Sequence, residues 1–182
     1  MTNSISQEVQ SIPVRKEFIG FGEEAIRNTL VKMRDIINQS FQNYYVRRWA
    51  ENILSRHHPY SDDSDFSKAE NIANFLMTNT RYLRDPYGLE MLRTPVVSLQ
   101  LLEAGDIPYL DCDDLTTLSL SLLKSIGFPV SMRAVSYHPD RRFRHVYGQV
   151  KIRRIWYPLD LTKSHGLGWE APGVTNILDV IV

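Results

Sequence analysis

At 182 residues, 43% of them hydrophobic and 23% charged, the chain has the make-up of one globular domain whose core needs no metal or disulfide staple. Its 21 basic and 21 acidic residues cancel, which removes the electrostatic grounds for expecting nucleic acid or an anionic membrane as partner. A single cysteine excludes an intramolecular disulfide, and no apolar run reaches the roughly 18 residues of a membrane span, so a soluble, cytoplasmic protein is expected.

Residues 1–20 form a polar, flexible lead-in without the apolar segment of a secretion signal, closed by Gly20 and Gly22. From Glu23 to Asn38, Ile26, Leu30, Met33 and Ile37 recur at helical spacing. A second helix is predicted over Tyr44–Arg56, with Tyr45, Trp49, Ile53 and Leu54 facing inward. After the Pro59 break, a third spans Phe66–Thr80, carrying Ile72, Phe75, Leu76 and Asn79. Residues 81–106, punctuated by Pro86, Gly88 and Pro95, read as a loop with short helical pieces. The next helix shows a stripe of Leu115, Leu118, Leu122 and Ile126, and stops at Gly127 and Pro129.

Beyond this the period changes to that of strands: "VSMRAVSY", "RHVYGQVKI" and "RIWYPLDL", joined by "HPDRRF" and "KIRR". The final apolar run is either another strand or a segment docked elsewhere. Helices followed by an antiparallel meander make the chain α+β. The organisation read from this is a lead-in (1–20), a helical N-terminal arm (21–62) and a core domain (63–182).

Cys112, in "LDCDDLTTLSL", lies at the start of the leucine-striped helix, with Asp111 at the cap. Unpaired N–H groups and the helix dipole favour a thiolate there and could hold an oxyanion. Asp111, Asp113 and Asp114 push the other way, so a reactive thiolate needs an imidazolium partner. Asp113 and Asp114 are best read as capping the helix. Taken alone, a lone cysteine is more often a small buried hydrophobe than a nucleophile.

His57 and His58 fall in a polar turn, His138 in "YHPDRR" and His165 in a glycine-rich loop. His145 is on a strand, and Asp160 closes the next one. The order Cys, His, Asp, with gaps of 33 (145 − 112) and 15 (160 − 145) residues, is that of a nucleophile, its base and an orienting carboxylate. Trp156 either packs beneath this triad or lines an acyl groove beside His145. Arg142 and Arg144 are read as a solvated, charged hairpin edge rather than a phosphate patch.

"DCDDLTTLSLSLLKSIGFPV", "FRHVYGQV" and "WYPLDLT" together resemble the transglutaminase-like domain, a branch of the papain-like cysteine hydrolase superfamily. The resemblance covers roughly residues 66–162. It implies a core helix carrying the cysteine on an antiparallel sheet, with Cys112 as nucleophile, His145 as general base and acid, and Asp160 as orienter. The family has glycine ahead of its Asp-Cys pair where this chain has Leu110, a residue expected to narrow access to the sulfur. Its aspartate is often followed by proline, where this chain has Leu161.

The resemblance implies no cofactor and no metal. It implies a protein or peptide substrate, cleaved through a thioester by a peptidase, amidase or acyltransferase. Arg81–Pro95 resembles small phage members of the family, which implies residence in a host cytoplasm or a virion. The alternative is an assembly protein that keeps the fold to bind other phage structural proteins.

Overall fold

The computed structural model describes residues 22–56, 64–85, 91–140, 142–163 and 165–182. The expectations placed on the lead-in 1–20, on His57 and His58, and on Pro86 and Gly88 lie outside the described residues. Helices α1 (Gly22–Ser40), α2 (Tyr44–Ser55) and α3 (Asp65–Asn79) follow the three predicted stripes. Asn43 caps α2 through the Tyr45 N–H, and Ser64 caps α3 through that of Ser67. None of the described helices is long and apolar enough to cross a membrane.

The inward faces differ in detail from the predicted ones. In α2 the buried side chains are Val46, Ala50 and Ile53, while Tyr45 and Trp49 are only partly covered. In α3 they are Ala69, Ile72, Ala73 and Leu76, and Asn79 instead donates to the Phe75 carbonyl. Small residues let these helices approach closely, which leaves the bulky aromatics on the flanks.

The stretch expected as a loop with short helical pieces contains one such helix of nine residues, α4 (Pro95–Glu103), and a two-residue strand, β1 (Arg81–Tyr82). Pro95 opens this helix rather than breaking it, because its missing N–H sits where no intrahelical bond is made. β1 runs parallel to β2 (Tyr109–Leu110), with Tyr82 opposite Leu110.

Helix α5 (Cys112–Ser125) is buried on every side, not along one stripe: Leu120, Leu123, Thr117, Ser119 and Ser121 are covered as fully as Leu118 and Leu122. Its short hydroxyls make this possible. Ser119 donates to Thr116 O and Ser121 to Thr117 O, so these polar groups are satisfied inside the helix. One side of α5 meets α1, α2 and α3, and the other meets the sheet.

That sheet has four antiparallel strands in the order β5-β4-β3-β6: β3 (Val130–Ser136), β4 (His145–Ile152), β5 (Ile155–Leu159) and β6 (Asn176–Ile181). The final apolar run is thus a strand, paired with β3 from Ser136↔Asn176 to Ser131↔Ile181. Arg142 and Arg144 lie ahead of β4, a central strand, so they do not guard an edge; Arg142 pairs with Asp140. At the centre of the sheet stands Gly148, between Met132 and Leu159. A Cβ there would lie 2.7 Å from Leu120 Cδ2, so the missing side chain is what lets α5 rest on β4.

The fold is α+β, a cysteine-bearing helix packed on an antiparallel sheet, with further helices covering its other side.

Candidate active site

Cys112 is the first residue of α5 and is partly exposed. Asp111 caps the helix as expected, accepting from the Asp114 N–H at 3.2 Å. Thr116, one turn on, donates to Cys112 O at 2.6 Å and lies 3.3 Å from Val146 O. Leu120, a further turn on, meets Gly148. Four helical residues rise about 6 Å and two strand residues about 6.6 Å, so α5 and β4 run side by side in step. The same step back from Thr116 and Val146 puts Cys112 near the level of Arg144, just ahead of β4, whose first residue is His145.

His145 and Asp160 are brought together. The His145 Nε2 lies 2.8 Å from Asp160 Oδ2, and Asp160 is almost fully buried, at 1% exposure. The other carboxylate oxygen, Oδ1, accepts from Thr162 twice: from its N–H at 3.1 Å and its hydroxyl at 2.7 Å. Burial pushes the Asp160 pKa up. The His145 ring and the two Thr162 donors outweigh it and hold the carboxyl below its ordinary range. An ionised Asp160 can only accept, so His145 Nε2 carries the hydrogen that faces it, and Nδ1 is the ring nitrogen left for another partner.

The remaining sequence candidates lie elsewhere. Leu110, on β2, has 0% exposure and belongs to the hydrophobic core rather than to an open pocket. Trp156 stands at the far end of β5, opposite Lys151, whose ammonium lies 5.6 Å above its ring. His138 follows β3, and His165 packs on Trp169 at 4.3 Å. Asp114 does not cap α5 with its carboxylate; it accepts from the Arg93 N–H at 2.7 Å and ties the segment before α4 to the helix start.

Sequence reasoning missed several neighbours. Tyr147, two residues after His145 on one strand face, puts its ring 5.7 Å from the imidazole. Its hydroxyl donates to Glu170, which also pairs with Arg133 at 3.3 Å. Arg133 in turn grips Asp179 of β6 with two hydrogen bonds of 2.8 and 2.9 Å. Tyr82 and Tyr137 both lie within electrostatic reach of Cys112. Burial first, and the cysteine's charge among later causes, raises both phenol pKa values. Strand alternation was the only signal for Tyr147. Glu170 lies in a loop and had none.

Asp114 titrates in an unusual range. Burial pushes its carboxyl up to about 7, against the pull of the Arg93 N–H, and the charge of Asp111 adds to the rise. The folded protein then holds a proton that the unfolded chain, near its ordinary 3.8, releases earlier. Stability from this group must fall as pH rises from about 4 to about 7 and level off above that. Asp114→Asn keeps the acceptor for Arg93 and removes the charge. Urea unfolding at pH 5 and pH 8 should show a flatter pH dependence and a higher midpoint at pH 8. An unchanged pH dependence would refute the assignment.

No protein-family profile matches the chain, and no curated protein matches it. Solved structures do match the chain, among them the following two. One is a proposed protease from Parabacteroides distasonis, with a TM-score of 0.56 at 15% identity, covering 81% of this chain and 31% of that one. The other is a proposed cysteine protease from Cytophaga hutchinsonii, with a TM-score of 0.46 at 12% identity, covering 76% of this chain and 51% of that one. The chain thus spans under a third of the first protein and about half of the second. At 15% identity, the likeness to the first is one of fold.

Proposed function

We propose that the protein is a thiol-dependent hydrolase of amide or peptide bonds, of transglutaminase-like type. In this reading Cys112 is the nucleophile, His145 the general base and acid, and Asp160 the orienting carboxylate. The observation that carries it is the 2.8 Å bond from His145 Nε2 to Oδ2 of the buried Asp160, made by the start of one strand and the end of the next, after the helix that carries Cys112. The fold shared with a proposed protease supports the same reading.

The chemistry follows from the tautomer. Nδ1 takes the thiol proton, and the thiolate sulfur attacks the carbonyl carbon. The N–H groups of the first turn of α5 stabilise the oxyanion. The imidazolium returns its proton to the leaving amine as the C–N bond breaks, leaving a thioester on Cys112. A water molecule, deprotonated by the same ring, then adds to the thioester; the C–S bond breaks and the carboxylic acid leaves. An amine in place of that water gives acyl transfer.

The second reading, a binding or assembly protein without turnover, rests on Leu110 standing where glycine is expected and on the helices preceding the core. A role in a phage particle rests on the sequence of Arg81–Pro95 alone.

Alkylation separates the two. Iodoacetamide at pH 6–7 should modify Cys112 in the folded protein well above the rate of an unfolded control, and His145→Ala should lower that rate by roughly tenfold or more. Modification no faster than in the unfolded control would remove the thiolate. Peptide-amide hydrolysis retained in Cys112→Ala would remove the catalytic assignment.

A further inference from the structure

A concavity built without any residue of α5 or of the four-stranded sheet lies between α2 and α4. It encloses about 230 Å³ and is lined by Tyr45, Arg48, Trp49, Asn52, Arg56, Leu102 and Glu103. Its chemistry is divided by wall. Arg48, Asn52 and Arg56 follow one another at four-residue steps along α2, so they share one side of that helix. Arg47, on the neighbouring face, is neutralised by Glu51 at 2.8 Å, whereas Arg48 and Arg56 have no acid partner among the described residues. Glu103, on the α4 wall, has its Oε2 engaged by the Tyr45 hydroxyl at 2.7 Å. Two guanidiniums against one occupied carboxylate leave the concavity net positive.

The apolar part is equally specific. Trp49 stands between the arginines in sequence, and Phe75 backs its ring at 6.1 Å and 48°. Leu102 supplies an aliphatic surface on the other wall. A partly buried indole flanked by two guanidiniums with no acid partner among the described residues provides a face for a flat group and charge-assisted donors for an anion.

We propose that this concavity binds a small ligand made of a flat apolar body and an anionic group, an aryl carboxylate or aryl phosphate. The ring lies between Trp49 and Leu102. Arg48 and Arg56 take the anion's oxygens, and the Asn52 amide offers a further donor. This site is independent of the thiol chemistry proposed above.

The test is a titration of isotope-labelled protein, read at the Trp49 indole N–H, which is identified by its loss in Trp49→Phe. Phenyl phosphate and benzoate are the probes, with benzyl alcohol and inorganic phosphate as controls. The expected result is saturable binding by at least one acid, with Kd on the order of 1 mM or tighter. Affinity should fall by roughly tenfold in Arg48→Ala and in Arg56→Ala, and should weaken as salt is raised. Both arginines are exposed, so the fold does not depend on them. No saturation by either acid overturns the proposal. So does benzyl alcohol binding as tightly, which would leave only an apolar cleft, or inorganic phosphate binding as tightly, which would leave only charge. Unchanged affinity in both arginine variants overturns it as well.

Discussion

Asp160→Asn should lower amide hydrolysis by about three to four orders of magnitude, the scale seen when a triad carboxylate is replaced by its amide. The geometry explains why so small a change matters. Thr162 donates to Oδ1 twice, through its N–H and its hydroxyl. An asparagine must therefore keep its carbonyl oxygen at that position and turn its NH2 group toward His145. A donor facing Nε2 forces the imidazole hydrogen onto Nδ1, and the ring can no longer accept the thiol proton. The measurement is kcat/KM on a peptide amide that the native protein cleaves, with the rate of Cys112 alkylation near neutral pH alongside. A loss of less than tenfold in both would exclude Asp160 from the mechanism.

The same substitution carries a pH signature. The folded protein holds the Asp160 pKa below its ordinary range, so the charged form is favoured in the fold. Its stabilisation is complete above the unfolded pKa and is lost as pH falls through the depressed folded value. Asp160→Asn should remove that acid-side dependence, opposite in sign to the one expected from Asp114.

Gly148→Val should be the most damaging single change in the sheet. A Cβ at 148 meets Leu120 Cδ2 at 2.7 Å and Cγ at 3.2 Å, and Leu120 is fully buried. Overpacking of this kind costs about 1–3 kcal/mol, which is the expectation for Gly148→Ala; the added methyls of valine should exceed it. A double-mutant cycle checks the cause. Leu120→Ala alone should cost about 2–5 kcal/mol by leaving a cavity. Combined with Gly148→Ala the penalties should fall short of additive by about 0.5–3 kcal/mol, because each change fills or empties the same space. Strict additivity in urea unfolding would show that the contact does not set the spacing of α5 and β4. Any variant that shifts α5 along β4 should also lower Cys112 reactivity, since Cys112 and His145 ride on those two elements.

How much of this was legible in the sequence depended on whether a signal was local. The start of α5 was readable because Asp111 is a cap residue ahead of an apolar run. The His145–Asp160 pair was readable because two consecutive strands with a short turn must lie side by side. Short helical pieces are legible in residues 81–106, but the bounds of α4 are not, because Pro95 punctuates a loop and opens a helix equally well. The full burial of α5 was lost for a chemical reason: Thr117, Ser119 and Ser121 count as polar in any periodicity, yet Ser119 and Ser121 spend their hydroxyls on the helix's own carbonyls. The Glu170 bond to Tyr147 had no local trace, because a loop places it 23 residues downstream.

The strand order β5-β4-β3-β6 has a consequence for synthesis. A ribosome delivers β3, β4 and β5 in succession, and they can pair as they emerge. The far side of β3 then waits for residues 176–181, some forty positions after its own exit. Throughout that interval β3 offers an open ladder to any passing chain. Arg133, at mid-strand, gives that ladder a charged side chain until Asp179 arrives to receive it.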